Sequence, residues 1–437
     1  MPHRAYPPEL AIEPLTTPVD REVHVPGSKS ITNRALVLAA LTPRDGACTL
    51  RGVLRSEDTE VMVNCLKTLG FTLETHWDAP EPYVVFPPGE HRRIPATEAE
   101  LFVANSGTTM RFLTAFVATG HGRFRLDGIP RMRERPIQDL LDALNQLEGV
   151  KATSETGNGC PPVVIETHGL RGGHVKMRAG LSSQFLSGLL MAAPFADDDV
   201  TIELLGPIVS TPYIEMSVMM MQQWGYRVAY QGRKFHISAR SEPDASREYA
   251  IEPDASAASY FFAAAAILGG RVTVAGMHRD MLQGDVKFVD LLEQMGCQVE
   301  EGPGGITVHG RPLRGITADM NAISDTVMTM AAVACFADGP TVIRNVGHIR
   351  HKETDRLTAV ATELRKFGVE VEEHLDGMKI TPRPMQGSAV DTYNDHRMAM
   401  SLALVGLKVP GVVVRNPGCV AKTYPKFWQD LEKLRSS

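Results

Sequence analysis

The sequence lacks the short motifs that define several large enzyme classes. It contains no GxxxxGK[ST] phosphate-binding loop, no HExxH zinc motif and no GxSxG nucleophile motif. Its six cysteines form no CxxC pair and lie at no metal-ligand spacing from a histidine, a pattern typical of free thiols in a reducing cytosol. These absences argue against a P-loop nucleotide site, a zinc hydrolase and an α/β-hydrolase. No residue cluster implies a metal or an organic cofactor.

Long apolar runs and an excess of positive charge are also missing. No apolar stretch is long enough to span a membrane, and the first eight residues lack the apolar run of a signal peptide, so we expect a cytoplasmic protein. The net charge of −6 argues against a nucleic-acid or acidic-membrane partner. The 437 residues are 43% hydrophobic and 22% charged, an ordinary globular composition with material for two or three domains.

One structural unit recurs six times along the chain. Its first element is an apolar helix opened by small polar residues, and it returns about every 70 to 77 residues. The copies begin at Ser30, Asn105, Leu181, Asp254, Ser324 and Asn394. A β-branched strand, a second amphipathic helix and another strand follow, so the unit is α-β-α-β. Since glycine tolerates the left-handed backbone that stops a helix, we expect five of the second helices to end at Gly70, Gly149, Gly225, Gly296 and Gly368.

The sixth copy is incomplete. Its second helix, near residues 422–434, has no strand after it, whereas residues 10–25 contain strand-like stretches without a preceding helix. We therefore expect the N-terminal segment to supply the strands that the C-terminal segment lacks. One domain would comprise residues 1–25 plus 252–437, and the other residues 26–251. Two connections between two domains predict a hinge, and the cleft between domains is the default ligand site.

Polar residues cluster at the six helix starts. An N-cap role is a sufficient explanation for any single one of them. Equivalent helices should nevertheless begin at the same level of their domains, and helix N-termini favour anions. Eight cations lie at or near these loop–helix junctions, namely Lys29, Arg34, Arg131, Arg133, Lys352, Arg356, Arg397 and Lys422. This density of cations in an acidic protein predicts a site for one or two small, multiply charged anions.

Candidate proton-transfer groups lie among these cations. Asp325 is expected to open the fifth helix, and Glu353 directly follows Lys352. In a cationic pocket both carboxylates would be ionised and could accept or relay protons. His348 and His396 are further candidates, although each is equally compatible with a structural role.

At these segments the sequence resembles the enolpyruvyl transferase family, and within it the enzymes that act on shikimate 3-phosphate. The resemblance covers nearly the whole chain. The matching motifs are PGSKSITNR (26–34), NSGTTMR (105–111), PRMRERP (130–136), SSQ (182–184), KETDR (352–356), YNDHR (393–397) and AK (421–422). The resemblance implies an α/β fold of the two-domain inverse α/β barrel type. It has six repeats of a β/α unit, three per domain, with the active site in the interdomain cleft.

The resemblance also implies two small-molecule substrates. Shikimate 3-phosphate would contact Lys29, Ser30, Arg34, Ser182, Ser183, Gln184, Ser210, Tyr213, Asp325, His348 and Lys352. Phosphoenolpyruvate would contact Lys29, Gly107, Arg131, Gln184, Arg356, Arg397 and Lys422. The family needs no metal and no cofactor, and neither nucleic acid nor a membrane is a partner. We expect a monomer.

The implied reaction moves the enolpyruvyl group to the 5-hydroxyl of shikimate 3-phosphate and releases phosphate, a step towards chorismate and the aromatic amino acids. Asp325 would accept the hydroxyl proton, and Glu353 would exchange the methylene proton. Lys29 and Lys422 would neutralise or protonate the departing phosphate, and His396 is a further catalytic candidate. The arginines would balance the phosphate charge in place of a metal.

Two positions depart from the family's pattern. His348 stands where other members commonly have Asn, beside the substrate phosphate, and Phe112 stands where many have Pro or Leu. Glyphosate is longer than phosphoenolpyruvate and needs room beside residues 105–108. Gly107 has no Cβ, which predicts that room and therefore inhibition. Phe112, on the buried side of the same helix, could tilt that helix and reduce the space.

Two alternatives stay open at this point. The sister enzyme that acts on UDP-N-acetylglucosamine shares the repeat but uses a loop with a reactive cysteine, and residues 130–136 contain none. A non-catalytic anion-binding relative would keep the fold without the chemistry. It is disfavoured because Lys29, Asp325, Glu353 and Lys422 are all present.

Overall fold

The computed structural model describes residues 6–43, 45–89, 93–239, 241, 243 and 247–435. The first five residues, part of the segment in which we expect no signal peptide, lie outside these ranges. Within the described part the α-helices are α1 (Lys29–Leu41), α2 (Glu57–Thr68), α3 (Gly107–Val117), α4 (Gln138–Leu144), α5 (Ser183–Ala192), α6 (Thr211–Gln223), α7 (Ala255–Leu268), α8 (Phe288–Met295), α9 (Val327–Ala334), α10 (Arg356–Lys366), α11 (His396–Gly406) and α12 (Phe427–Glu432).

The strands are short and spread over the whole length of the chain. In chain order they are β1 (Glu9–Ile12), β2 (Val19–Val23), β3 (Cys48–Arg51), β4 (Glu74–His76), β5 (Tyr83–Phe86), β6 (Glu98–Phe102), β7 (His121–Asp127), β8 (Val150–Ser154), β9 (Val163–His168), β10 (Gly173–Ala179), β11 (Val200–Ile208), β12 (Val228–Gln231), β13 (Lys234–Ile237), β14 (Glu248–Ala250), β15 (Gly270–Ala275), β16 (Gln298–Gly302), β17 (Gly305–Gly310), β18 (Thr317–Asp319), β19 (Thr341–Arg344), β20 (Glu370–His374), β21 (Gly377–Thr381), β22 (Ala389–Val390) and β23 (Val412–Arg415).

The sheets repeat a single topology. Five have four strands and one has three, in the part of the chain that the structure describes. In the order β6-β7-β9-β8, the first pair is parallel and the next two pairs are antiparallel. The other four-stranded sheets repeat this pattern. In three of the five, one apolar helix joins the two parallel strands, as α3 joins β6 and β7. The six sequence repeats therefore correspond to six sheets.

The chain divides into two compact units. We call Gly27–Ile251 the central unit, and Met1–Pro26 with Glu252–Ser437 the terminal unit. In the terminal unit, β1 pairs antiparallel with β23 and β2 pairs parallel with β15. The N-terminal segment thus completes the sheet of the sixth copy, which confirms the prediction that it supplies the missing strands.

The first helix of each repeat is apolar because it lies in a core. In the terminal unit the first helices α7, α9 and α11 pack on one another. In the central unit α3 packs on α1 and α5, and the second helix α6 also packs on α1 and α5. Helix α7 is strongly apolar, and all its residues from Ala255 to Ile267 are buried. Burying so much apolar surface on every side of a helix is the main stabilising contribution to each unit. Among the described helices, none combines the length and hydropathy that crossing a membrane requires.

The five glycines predicted to end the second helices all adopt left-handed backbone. Their φ angles lie between +88° at Gly225 and +116° at Gly296, a region that other residues enter only with strain. At four of them the helix ends one or two residues earlier, as predicted. Gly149 differs, because α4 already ends at Leu144 and a turn separates the two.

Candidate functional site

Arg356 is the centre of the polar cluster in the terminal unit. It opens α10 and is almost fully buried. Its guanidinium bonds Asp395 at 2.8 Å, Glu353 at 2.9 Å and Asp325 at 3.2 Å. Burial alone would lower the pKa of Arg356, but these three carboxylates outweigh it and hold the pKa above its ordinary value. Removing one partner from such a buried network typically costs about 3–5 kcal/mol, because a charge is left uncompensated.

Arg397 lies on the other side of the same network. It is the second residue of α11, and its Nη2 atom bonds Asp325 at 2.7 Å. The same guanidinium donates to the hydroxyls of Tyr260 at 3.3 Å and Ser256 at 3.4 Å, both on α7. Burial raises the pKa of Tyr260 to about 12, so this phenol stays protonated. Arg356 and Arg397 therefore present two guanidinium groups to one carboxylate.

Asp395 is a member of the network that the sequence analysis did not single out. It caps α11 by accepting a hydrogen bond from the backbone N–H of Arg397 at 2.9 Å. The same fully buried carboxylate holds Arg356. The signal was present, because an Asp at a helix start is an expected N-cap. Its second role depends on a partner 39 residues away in the chain, which the local pattern does not reveal.

The prediction that Asp325 opens the fifth helix is wrong in one respect. Residues Asn321–Thr326 form a 3₁₀ turn, and α9 begins only at Val327. Ile323 has non-helical backbone angles, which separates the two segments. Asp325 therefore does not cap α9, and its two oxygens bond Arg356 and Arg397 instead.

Glu353 and Lys422 complete this part of the cluster. Glu353 lies in the turn that precedes α10, and its Oε2 atom accepts from Arg356. Its Oε1 atom is 4.0 Å from the Nζ atom of Lys422, which ends the 3₁₀ turn Pro417–Lys422. Both side chains are largely buried. An ammonium and a carboxylate at this separation can exchange a proton through a ligand or a water molecule.

The two histidine candidates have different surroundings. His348 lies in the 3₁₀ turn Gly347–His351, and burial, with the charge of Lys352, lowers its pKa to about 3. It is therefore neutral at pH 7, where it could donate one hydrogen bond to a phosphate oxygen. His396 is the first residue of α11, is fully buried, and has its Nδ1 atom 3.5 Å from Asp395.

In the central unit, Lys29 and Asp58 form an ion pair. Lys29 is the first residue of α1, whose N-cap is Ser28, and its Nζ atom is 3.3 Å from Asp58 on α2. The Asp58 carboxylate is almost fully buried, which leaves the more exposed Lys29 as the side of the pair that a ligand can reach. Asp58 was not among the predicted site residues.

Arg34 is a buried cation of the central unit. Its guanidinium donates to the hydroxyl of Ser217 at 2.8 Å, the carbonyl of Tyr213 at 3.0 Å and the hydroxyl of Ser187 at 3.3 Å. Burial lowers its pKa to about 10, so it remains charged at neutral pH. The ring of Phe112 lies 5.1 Å from the guanidinium carbon and is buried, as predicted.

The predicted polar contacts on α5 and α6 also lie in the central unit. Ser182 caps α5, Ser183 opens that helix and is buried, and the Gln184 amide donates to Thr108 on α3 at 3.1 Å. Ser210 precedes α6 with left-handed backbone, at a φ of +52°. Tyr213 lies in the first turn of α6 and accepts from Arg34 through its backbone carbonyl. Ser30, in the first turn of α1, also accepts from Arg34 through its carbonyl.

Gly107 has a neighbour that the sequence analysis did not anticipate. A Cβ atom at this position would lie 2.5 Å from Nη2 and 2.9 Å from Cζ of Arg135. Arg135 is buried, and its Nη1 atom donates to the carbonyl of Asn105 at 3.2 Å. The space that glycine leaves at the start of α3 is therefore occupied by a guanidinium. This finding corrects the expectation that the space beside Gly107 is open for a ligand.

The remaining two arginines of the 130–136 motif differ in their partners. Arg133 makes a bidentate pair with Asp127, at 2.9 and 2.7 Å, which indicates a structural role. Arg131 pairs with Glu134 at 2.8 Å through a partly exposed side chain. Such a pair contributes at most about 1 kcal/mol and yields readily to a ligand.

Solved structures share the fold of this chain. The fold is shared with the EPSP synthase from Acinetobacter baumannii, at a TM-score of 0.79, 23% identity and coverage of 98% of both chains. It is also shared with the enolpyruvyl transferase NikO from Streptomyces tendae, at a TM-score of 0.76 and 19% identity, covering 98% of this chain and 97% of that one. The fold is that of the enolpyruvyl transferases, which confirms the predicted fold class.

Sequence relatives narrow the assignment further. The chain matches the EPSP synthase (3-phosphoshikimate 1-carboxyvinyltransferase) family over residues 15–431. It is 48% identical over 427 residues to the 3-phosphoshikimate 1-carboxyvinyltransferase of Trichormus variabilis, covering 97% of this chain and 99% of that protein. The chloroplastic enzyme of Solanum lycopersicum is 43% identical over 446 residues, with coverage of 98% and 84%. The chain belongs to the EPSP synthase family, and the resemblance found in the sequence is confirmed.

Proposed function

We propose that this chain transfers the enolpyruvyl group of phosphoenolpyruvate to the 5-hydroxyl of shikimate 3-phosphate and releases phosphate. One observation carries the proposal beyond family membership. In the terminal unit, Arg356 and Arg397 bond the same carboxylate, Asp325, and Lys422 lies 4.0 Å from Glu353. Cations suited to a phosphate and a carboxylate therefore stand beside two groups suited to proton transfer.

Phosphoenolpyruvate is the proposed ligand of the site that holds more of the cations. The residues of this site are Lys29, Gly107, Arg131, Gln184, Arg356, Arg397 and Lys422. Arg356 and Arg397 are already compensated by carboxylates, so binding is an exchange of partners. An anion that takes over the Arg397 guanidinium would free one Asp325 oxygen for a substrate hydroxyl. Charge-assisted bonds to guanidinium groups are strong enough for this exchange.

Shikimate 3-phosphate is the proposed ligand of Lys29, Ser30, Arg34, Ser182, Ser183, Gln184, Ser210, Tyr213, Asp325, His348 and Lys352. The Arg34 charge supports this part of the proposal, because its hydrogen-bond partners at Ser217, Ser187 and Tyr213 are neutral oxygens. A phosphate nearby would be attracted to a guanidinium whose charge those partners do not cancel. Because His348 is neutral, it would donate a hydrogen bond to the phosphate without adding a charge.

The chemistry assigns one role to each proton-transfer group. Asp325 accepts the proton of the attacking hydroxyl. Glu353 takes a proton from the Lys422 ammonium, 4.0 Å away, and passes it to the methylene carbon of the enol. As phosphate leaves, that carbon returns a proton to Glu353 and through it to Lys422, while Lys29 and the reprotonated Lys422 neutralise or protonate the leaving oxygen. His396 is a further candidate that would act through Asp395, its neighbour at 3.5 Å. Each transfer contributes on the order of 10²–10⁴ in rate.

The domain assignment, residues 1–25 plus 252–437 and 26–251, remains part of the proposal, with the active site between the domains. The proposed ligands support it, because Lys29 and Arg34 belong to the central unit whereas Arg356 and Lys422 belong to the terminal unit. We also propose that the protein works as a monomer in the cytoplasm.

Phosphate release is the test of this function. We expect release from phosphoenolpyruvate only when shikimate 3-phosphate is present, and no loss of rate when EDTA is added. UDP-N-acetylglucosamine in place of shikimate 3-phosphate should give no release. Release with that sugar nucleotide, or abolition of activity by the chelator, would refute the proposal. No release under any condition, with phosphoenolpyruvate still bound, would indicate a non-catalytic relative.

A further inference from the structure

The turn before α11 has an unusual backbone. Tyr393 and Asn394 are consecutive and both have a φ of +54°. The backbone N–H of Asp395 donates to the carbonyl of Thr392 at 2.8 Å, which closes the turn. Left-handed backbone at both central positions defines a type I′ turn, whose favoured residues are Asn and Gly. Asn394 fits this preference, whereas a tyrosine at the first position does not.

A buried carboxylate holds this turn from outside. The Tyr393 hydroxyl donates to Oε1 of Glu363 at 2.6 Å, and the backbone N–H of Asp391 donates to Oε2 at 3.0 Å. Lys366 lies 2.8 Å from the same Oε2 atom and compensates the charge of Glu363, which is fully buried. Burial and the Glu363 carboxylate raise the pKa of Tyr393 above its ordinary value, so the hydroxyl keeps its proton and remains a donor.

One end of this contact, Glu363, lies on α10, and the other, Tyr393, lies in the turn before α11; these two helices carry Arg356 and Arg397. Glu363 follows Arg356 on α10 by seven residues, which is two turns and about 10 Å along the helix. Tyr393 lies two residues before Asp395. Asp395 caps α11, accepts a hydrogen bond from Arg356 and fixes the backbone N–H of Arg397. Glu363 is therefore too far along α10 to touch the ligand that Arg356 binds, but it fixes the turn that sets Asp395.

We propose that Tyr393 and Glu363 are positioning residues for phosphoenolpyruvate binding, because their hydrogen bond holds the strained turn that brings Asp395 and Arg397 to Arg356. The proposal rests on the proposed function for its effect on substrate binding. The conformational part, that the bond holds the turn, stands on the geometry alone. Neither residue belongs to the ligand sets proposed above.

The decisive variant is Tyr393→Phe, which removes the hydroxyl and keeps the ring. We expect the KM for phosphoenolpyruvate to rise about tenfold, the factor typical of losing one hydrogen bond to a charged group. The KM for shikimate 3-phosphate should change less than twofold. Amide hydrogen exchange of the segment 391–399 in the full-length protein should become faster in this variant. Tyr249→Phe is the matched control, since that hydroxyl donates to Gln223 at 2.8 Å within the central unit, and it should change neither quantity.

A second variant separates positioning from packing. Asn adopts left-handed backbone more readily than Phe or Tyr, so Tyr393→Asn needs the Glu363 bond less. We expect its KM for phosphoenolpyruvate to stay within about threefold of the wild-type value, below that of Tyr393→Phe. If the ring mattered only through its packing, the smaller Asn side chain would be the more damaging change.

Each outcome bears on one part of the inference. Unchanged hydrogen exchange at 391–399 in Tyr393→Phe overturns the conformational part. Faster exchange with an unchanged KM for phosphoenolpyruvate overturns the positioning role, as does a larger effect of Asn than of Phe. A wild-type protein without enzymatic activity refutes the proposed function, and the exchange measurement then still decides whether the bond holds the turn.

Discussion

At the scale of single residues, the buried arginines differ in what compensates them. Arg356 has three carboxylate partners, whereas the hydrogen-bond partners of Arg34 at Ser217, Ser187 and Tyr213 are neutral oxygens. Burial lowers the pKa of Arg34, but the carboxylates raise that of Arg356. An anion near Arg34 gains attraction directly. An anion near Arg356 or Arg397 must displace a carboxylate, and in the proposed mechanism the oxygen displaced is the one that Asp325 offers to Arg397.

Replacing Asp325 by Asn tests whether this carboxylate is a base. We expect Asp325→Asn to lower kcat by on the order of 10²–10⁴, with much smaller changes in both KM values. Asp355→Asn is the control, since Asp355 caps α10 and pairs with Arg350, and Asn caps a helix about as well as Asp. Steady-state kinetics of both variants make the comparison. Near-normal turnover in Asp325→Asn would refute the assignment of the base.

Gly107 and Arg135 together make a prediction about glyphosate. We expect the unmodified protein to be inhibited, because glyphosate resembles phosphoenolpyruvate in charge and should bind the same cations. We expect Gly107→Ala to raise the inhibitory concentration more than the KM for phosphoenolpyruvate. The physical reason is that the new methyl group would lie 2.5 Å from the Arg135 guanidinium and must displace it. The Arg135 side chain is the flexible partner in this contact. We therefore expect it to move and so to transmit the effect of the new methyl group to the bound inhibitor.

A double-mutant cycle with Arg135→Gln tests that route. If Arg135 carries the effect, Gly107→Ala adds little in the Arg135→Gln background, because interacting positions are not additive. Full additivity would mean that the methyl group acts directly on the inhibitor. A wild-type protein that ignores millimolar glyphosate would contradict the Gly107 argument and make a shift of α3 by Phe112 the better explanation.

At the scale of elements, several helices end at a glycine with left-handed backbone, a conformation that few other residues adopt. Gly296 ends α8 with a φ of +116°, and a Cβ atom there would lie 2.8 Å from the carbonyl oxygen of Pro312. Gly70 and Gly368 end α2 and α10 with φ values of +92° and +93°. Each such stop sets where the following strand begins, and so sets the register of its sheet.

Gly296→Ala should therefore destabilise the protein. We expect the free energy of unfolding to fall by about 1–3 kcal/mol, from left-handed strain and the contact with Pro312. Gly304→Ala is the control, because it meets nothing within 4 Å and lies outside the left-handed region, and it should change stability by less than about 0.5 kcal/mol. Denaturant unfolding measures both. Equal stabilities of the two variants would contradict the role of Gly296.

At the scale of the whole molecule, the chain passes twice between its two compact units, after Pro26 and after Ile251. The proposed ligands of shikimate 3-phosphate come from both units, with Arg34 and Ser182 in one and Asp325 and Lys352 in the other. A ligand that bonds groups of both units favours whichever arrangement lets it reach them together. Binding would then shift the population towards a closed form.

We therefore expect the radius of gyration from small-angle scattering to decrease when shikimate 3-phosphate is added. Phosphoenolpyruvate alone should produce a smaller change, because it has seven proposed ligands in the two units together, whereas shikimate 3-phosphate has eleven. Arg34→Gln should reduce the response to shikimate 3-phosphate, since it removes one of the cations from the central unit. An unchanged radius at saturating shikimate 3-phosphate would count against closure.

The sequence by itself determined the elements of the fold. Repetition of apolar helices, β-branched strands and terminating glycines predicted six units, because helix and strand formation depend on local patterns that short-range physics dictates. The incomplete sixth copy predicted that the N-terminal segment completes the last sheet, and β1 pairs with β23. The motifs that carry the family resemblance also contain most of the residues of the two polar clusters.

Only the tertiary structure decided what each polar residue contacts. The double role of Asp395, the bonds of Asp325 to Arg356 and Arg397, and the guanidinium beside Gly107 depend on partners tens of residues away. A local pattern reports that an Asp can cap a helix, and it cannot report which arginine the other oxygen will bond. That choice belongs to packing, since the position of each helix start in three dimensions is set by the cores of the two units.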